Sequence, residues 1–362
     1  MVQSSDMQCE LGELALKLRE SVKLEHLFAL TDHNAVFQHA KFSVPARREG
    51  YTVDDNARAL TFAAKAHTLW PSRKLSELQR KLLGFLLLMQ SEDGQLHNIM
   101  DFSHRIVDKP SVGDHLGRAI WAMGAVINSD LPSGLKKSAQ LIFDRALPLA
   151  KRSESPRTKA YACLGLAERV HCDLKDSNLA TNLDELARSL LECYNHNHSS
   201  GWEWFEKILS YDNARLCQAL FAAYQSLGEE AYMSIAEQSL SFLIRATTVD
   251  DTFVPIGSDG WYVKGGTRAS YDQQPIEAGC MMEATSLAYK LTRSKPYETA
   301  LRRALGWFYG VNSKSVTIYD DSTGACFDGI TRTGLNENQG AESTLAYLLG
   351  ATTFIENIDP TR

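Results

Sequence analysis

The tetrapeptide Asp55-Asn56-Ala57-Arg58 returns as Asp212-Asn213-Ala214-Arg215, and each copy opens a strongly apolar helical stretch, DNARALTFAAKA (55–66) and DNARLCQALFAAY (212–224). From 55 to 212 the offset is 157 residues in a chain of 362, so a repeated supersecondary unit explains the pair better than chance does. The repeat restricts the chain to folds in which two similar buried helices are entered through the same polar corner.

Helical periodicity of two kinds fills the rest. Charged residues three and four apart beside a Leu-rich stripe predict exposed amphipathic helices over 72–90, 133–152, 182–195, 229–247 and 295–310, with the N-terminal 10–30 as a sixth. A second set is rich in Ala, Gly and other small residues and nearly free of charge past the first turn: 55–69, 115–127, 157–170, 212–226, 275–291 and 340–354. A helix that is apolar all round is buried. Six of each, alternating at a spacing of roughly 57 residues, predict six helical hairpins. Closed into a ring, they form an all-α (α/α)6 toroid, a single domain over residues 1–362.

The connections are unequal. Links from buried to exposed helices are short, as at 70–72, whereas those from exposed to buried helices are long and rich in Gly, Asp and aromatics: 91–114, 196–211, 250–272 and 312–338. Long loops in a compact domain usually carry function. All of them lead into the N-termini of inner helices, so they should gather on one face, with minor β-hairpins, around a funnel floored by those N-termini.

Net charge is −6 with pI near 6.0, and no block of Lys or Arg forms a patch, which argues against nucleic acid or an anionic membrane as partner. No stretch approaches the roughly 20 apolar residues of a membrane span. The first residues, MVQSSDMQCELGELALKL, lack the pattern of a signal peptide, and the seven scattered cysteines have no CxxC pair. A soluble cytoplasmic protein with free thiols is the expectation. HExxH, a P-loop and GxSxG are absent from the sequence, so the reading includes no metal site and no cofactor.

The inner-helix starts collect polar groups: Asp54, Asp55, Asn56 and Arg58 on the first; Asp114, His115 and Arg118 on the second; Asp212 and Arg215 on the fourth; Tyr271, Asp272, Gln274 and Glu277 on the fifth; Asn338, Gln339 and Glu342 on the sixth. His39 adds to the rim from the stretch before the first helix, and Trp202, Trp204 and Trp261 stand on the loops. Carboxylates and amides converging beside aromatic rings suit a sugar, whose hydroxyls take planar partners and whose apolar face stacks on a ring. The competing reading is structural: Asp, Asn and Gln at these positions also cap helices, Gln339 with Glu342 has capping spacing, and Pro275 is placed for a first helical position.

The strings GYTVDDNARAL (50–60), YDNARL (211–216) and NENQGAESTLAYL (336–348) resemble a bacterial domain often fused behind family 4 glycosyltransferases and built as a toroid of the six-hairpin glycosidase type. The match runs from about Leu27 to Phe354. The resemblance implies a sugar context, with an oligosaccharide as ligand and a glycosyltransferase as partner. More distantly, the architecture is similar to inverting glycoside hydrolases, unsaturated-uronyl hydrolases and the acylglucosamine 2-epimerase family.

Three functions follow as expectations. The first is an inverting glycoside hydrolase, with Asp55 and Asp212 facing each other across the funnel at the ~6.5–9.5 Å such pairs require. Glu342 and Glu277 stand in reserve as catalytic carboxylates, Arg58 and Arg215 orient the acids, and Trp202, Trp204, Trp261 and Tyr271 stack on sugar rings. The second is a sugar epimerase or isomerase, a chemistry that favours histidine bases, for which His39, His97 and His115 are the nearby supply. The third is a glycan-binding module without catalysis.

Overall fold

The computed structural model describes residues 10–172 and 176–359, apart from the Cys172 side chain. The reading of the first nine residues, Cys9 among them, lies outside the described residues. Six inner helices carry the core: α3 (Val53–Ala66), α5 (Asp114–Asn128), α7 (Pro156–Cys172), α9 (Ala214–Leu227), α11 (Pro275–Thr292) and α13 (Ala341–Ile358). Each packs on the next, and α13 closes on α3. Outside them lie α4 (Arg73–Met89), α6 (Ser133–Arg152), α8 (Ser177–Asn197), α10 (Glu230–Ala246) and α12 (Lys295–Phe308), each against the inner helix it follows, while α1 (Leu11–Ser21) packs on α13. The fold is the expected (α/α)6 toroid.

The small residues of the inner ring explain how tightly it closes. A Cβ at Gly124 would collide with the Gly165 carbonyl, and one at Gly279 with the Ala346 carbonyl, so α5–α7 and α11–α13 meet backbone to backbone. The outer helices bury one stripe each, as in α4, where Leu75, Leu78, Leu82 and Leu86 face inward. Each such leucine contributes about 1.5–3 kcal/mol of burial. Residues 10–30 are not one helix: α1 ends at Ser21 and a short α2 (Glu25–Ala29) follows. The break lets Lys23 N–H donate to the Tyr319 hydroxyl (3.1 Å) and His26 reach the Gln339 carbonyl (2.8 Å).

The long loops do converge on the N-terminal face, stitched by two-residue strand pairs. Tyr51–Thr52 pairs with Ile99–Met100, Ile208–Leu209 with Tyr262–Val263, and Gly329–Ile330 with Leu335–Asn336. A bridge from Gln273 to Ile330 joins the fifth and sixth loops. Cys163, Cys193, Cys217, Cys280 and Cys326 are free thiols. No helix among the described residues is long and apolar enough to cross a membrane.

Candidate functional site

The first tetrad lies inside α3, with Asp55 in the first turn. Thr52 is the N-cap; its Oγ1 accepts from the Asp55 N–H (3.2 Å) and donates to Asp55 Oδ2 (2.7 Å). The other carboxylate oxygen of Asp55 receives Arg58 Nη1 at 3.0 Å, and Arg58 Nη2 reaches Glu342 of α13 at 2.8 Å. One guanidinium thus ties a buried carboxyl to one whose side chain is 42% exposed. Burial lifts the Asp55 pKa to about 6 against the pull of Arg58, with Glu342 adding to the rise.

Its neighbour Asp54 behaves oppositely. Burial disfavours its charge too, but the guanidiniums of Arg118 and Arg58 hold it below the usual carboxylate range. Arg118 bonds Asp54 Oδ1, and Asn98 clamps the residue from the second loop, donating to Oδ2 (3.1 Å) and accepting from the Asp54 N–H (3.2 Å). Two consecutive residues therefore hold a proton-retaining and a proton-releasing carboxyl in the same helical turn.

The second tetrad is built differently. Asp212 and Asn213 precede α9, and Asp212 adopts a left-handed backbone (φ +49°), a conformation Asp tolerates better than most residues. The turn aims the Asp212 N–H at Glu277 Oε1, and Asn213 Nδ2 donates to Glu277 Oε2 at 2.9 Å. Burial pushes the Glu277 pKa up to about 7; the Asn213 hydrogen bond opposes this and the Asp212 charge reinforces it. Asp212 itself is fully buried: Tyr161 donates to Oδ2, Arg118 Nη2 stands 3.9 Å from that oxygen, and Arg215 Nε lies 3.5 Å from Oδ1. Arg215 also pairs with Glu283 (2.8 Å) and lies over the Trp121 ring at 4.7 Å.

In the ring order α3 and α9 are opposite, and Arg118 from α5 reaches acids of both, Asp54 and Asp212. Beside it, Asp114 accepts from Ser155 (2.7 Å), Thr158 (2.9 Å) and the Tyr211 hydroxyl; these donors hold its pKa down against burial, Tyr211 foremost. Among the described residues Asp212 Oδ1, Arg118 Nε and Nη2 and Arg215 Nε have no hydrogen-bond partner. A buried polar atom left so costs about 1–3 kcal/mol.

The remaining sequence candidates divide by position. Asn56 is fully buried and straps α3 to the preceding segment: Oδ1 accepts from Val36 N–H (2.8 Å), and Nδ2 donates to the Val36 (3.1 Å) and Thr52 (2.7 Å) carbonyls. Both amide hydrogens are committed and the side chain is closed to solvent, which keeps it from a sugar. Trp202 and Trp204 are a second correction. Both are buried, Trp202 edge-on to Phe242 and Tyr262 and Trp204 edge-on to Phe205, so neither presents a ring face to solvent. Rather than offering faces to a sugar, both turn inward, Trp202 anchored by donating to the Glu206 carbonyl (2.7 Å).

Trp261 and Tyr271 are half-buried on the fifth loop, and Lys314 and Arg332 lie over the Tyr271 ring at 5.1 and 5.0 Å. Asp272 is exposed and left-handed, and its carbonyl takes the Ser258 N–H (3.0 Å). Gln274 is the N-cap of α11 without a side-chain cap bond. Asn338 Oδ1 accepts from Phe42 N–H (3.0 Å), while the buried Gln339 donates its N–H to the Phe42 carbonyl (2.9 Å). Gln339 and Glu342 form no capping pair: Gly340 is the N-cap of α13, and its N–H goes to Asp328 Oδ1 (2.8 Å). His39 is exposed, and its charge lowers the Asp328 pKa, a minor pull against the burial that raises it.

Asp328, Glu283 and Tyr161 were missing from the sequence candidates. Glu283 had a signal, since it is a lone carboxylate well inside the apolar PIEAGCMMEATSLAYKL. Asp328 and Tyr161 had none, because the loop fold alone brings the first to Gly340, and mid-helix packing alone points the second at Asp212.

No family model matches the chain, and no curated protein sequence matches it. Solved structures do. A D-mannose isomerase superposes with TM-score 0.74 at 12% identity, over 95% of this chain and 97% of that one. The cellobiose 2-epimerase of Spirochaeta thermophila DSM 6192 gives TM-score 0.74 at 12% identity, over 96% and 98%. A GH76 α-mannanase of Bacteroides thetaiotaomicron gives 0.61 at 10%, over 97% and 95%. At these identities the likeness establishes the fold: the chain is an (α/α)6 toroid of the six-hairpin type, similar over nearly its whole length to enzymes that isomerise sugars and to enzymes that hydrolyse them.

Proposed function

We propose that the protein is a carbohydrate-active enzyme, an inverting glycoside hydrolase whose acid is Asp55 and whose water-activating carboxylate is Glu342. The observation that carries this reading is the Arg58 bridge, which holds a carboxyl with its pKa raised to about 6 and a solvent-open carboxylate on the two ends of one guanidinium. Asp55, as the protonated partner, donates to the leaving oxygen; Glu342 takes the proton of an incoming water. Asp54 and Arg118 supply fixed charge beside them, Tyr271 and Trp261 offer rings at the rim, and Asp212 with Glu277 forms the supporting floor. The original pairing of Asp55 with Asp212 is set aside here, because Asp212 is sealed from solvent by its own partners.

The test is release of reducing ends from manno- and cello-oligosaccharides. Asp55→Asn and Glu342→Gln each abolish it while circular dichroism stays helical; full activity in both variants removes the assignment. Epimerisation is the second reading, supported by the better superposition on the isomerase and the 2-epimerase. Incubation with free D-mannose or cellobiose in heavy water separates the two, because epimerisation exchanges a carbon-bound proton and hydrolysis does not.

A further inference from the structure

A cavity lies at the C-terminal end of the inner helices, opposite the loop face. Its volume is about 290 Å³, and its wall draws on the last turns of all six inner helices, from Lys65 of α3 round to Glu356 of α13. That size sits at the small end of the roughly 300–1,000 Å³ typical of ligand sites. Its charge is already balanced. Lys65 Nζ stands 2.6 Å from Glu168 and 3.5 Å from Glu356, and Lys290 adds one more cation at the rim. An anion would meet six helix C-termini, whose dipoles disfavour it, and a cation would compete with Lys65 for the same two carboxylates.

Apart from His171 at the rim, what remains for recognition is neutral: the Gln225 amide, the Ser226 hydroxyl and the wall of Trp121, the Gln218 amide being held by Arg215 and Glu283. Thr353 also lines the cavity; it is 7% exposed, and its Oγ1 has no hydrogen-bond partner among the described residues. Neutral donors and acceptors beside an indole suit a molecule rich in hydroxyls.

We infer that this cavity is a second binding site, for a neutral polyhydroxylated molecule of monosaccharide size, independent of the chemistry proposed for the opposite face. Trp121 joins the two ends, since it lines the cavity while its ring carries the Arg215 guanidinium that pairs with Asp212.

The experiment is saturation-transfer NMR with calorimetry on the full chain, titrating D-glucose and D-mannose into the tens of millimolar, with acetate and methylammonium as charged probes. Ser226→Trp and the more exposed Gln225→Trp fill the cavity from its rim, and circular dichroism checks their fold. Sugar binding at this site weakens at least tenfold in both variants and is unchanged in Glu342→Gln, while the charged probes do not saturate. Sugar binding equal to wild type in both filled variants, saturation by a charged probe instead, or no sugar saturation at all overturns the inference. Loss of turnover in Glu342→Gln bears on the proposed reaction only, so the two ideas fail separately.

Discussion

The two copies of Asp-Asn-Ala-Arg start from the same four residues and end in different physical situations. In the first copy the helix has already begun at Val53, so Asp55 lies within the opening turn, bonded to its own N-cap and, through Arg58, to an exposed glutamate. In the second copy the helix begins only at Ala214, two residues after Asp212, which sits in a left-handed turn with its carboxylate enclosed by Tyr161, Arg118 and Arg215. The first Asn holds the backbone of Val36, whereas the second holds the Glu277 carboxyl. A repeated tetrad thus fixes where two helices start without fixing what their acids do. The neighbouring helices divide the copies: Asp55 shares a guanidinium with the half-exposed Glu342, whereas Asp212 is enclosed by interior partners.

The sharpest way to break this division is to exchange the fates of the two aspartates. Asp55→Asn should lower turnover by roughly 10²–10⁴-fold, the usual weight of a general acid, with little change in melting temperature. In the wild type the same role predicts activity that falls as pH rises above about 6, where Asp55 loses its proton. Asp212→Ala should instead destabilise the fold by on the order of 3 kcal/mol, because the buried Tyr161 hydroxyl loses its acceptor and Arg118 and Arg215 each lose one of their two carboxylate partners; urea unfolding measures it. If Asp212→Ala leaves stability intact and only stops turnover, the two copies are functionally alike after all.

A smaller effect sharpens the support role. The Glu277 pKa rises from 4.5 unfolded to about 7 folded, so its protonated form favours the native state. Its contribution is full below pH 4.5 and lost as pH climbs through about 7, on the order of 3 kcal/mol. Glu277→Gln should flatten that part of the stability–pH curve, and an unchanged curve refutes the coupling. Smallest is Asn56→Ala, which leaves the Val36 N–H and carbonyl unpartnered and should cost about 2 kcal/mol in chemical unfolding, with the Michaelis constant unmoved. A rise in that constant instead would return Asn56 to the binding surface.

How far these outcomes were legible in the sequence differs by level. The toroid was readable because its signal is local: small-residue helices such as 115–127 and 275–291 must be interior, and amphipathic ones such as 133–152 must cover them. The gathering of Asp54, Asp55, Arg58 and Glu342 at one mouth followed from that ring. Which acid meets which base did not follow, since Arg118 chooses between Asp54 and Asp212 only once α5 is seated between α3 and α7. The tryptophans failed for a similar reason. Alternation in Trp202-Glu203-Trp204 is a strand signal, but the segment is an irregular turn over α10 that buries both rings against Phe242. The break at Val22 was hidden because the partner that takes up the freed Lys23 N–H, the Tyr319 hydroxyl, lies far away in the chain.

The glycine contacts of the ring also set how it can move. Where α5 meets α7 at Gly124 and Gly165, and α11 meets α13 at Gly279 and Ala346, no side chains intervene to rock or slide. Those two seams act as welded staves, and any breathing that admits a ligand is left to the other four joints, including those flanking α3 and α9. Amide exchange should therefore be slowest along the welded pairs and faster around the two helices that carry the tetrads, so the barrel would open as a hinged clasp rather than a uniformly widening hoop.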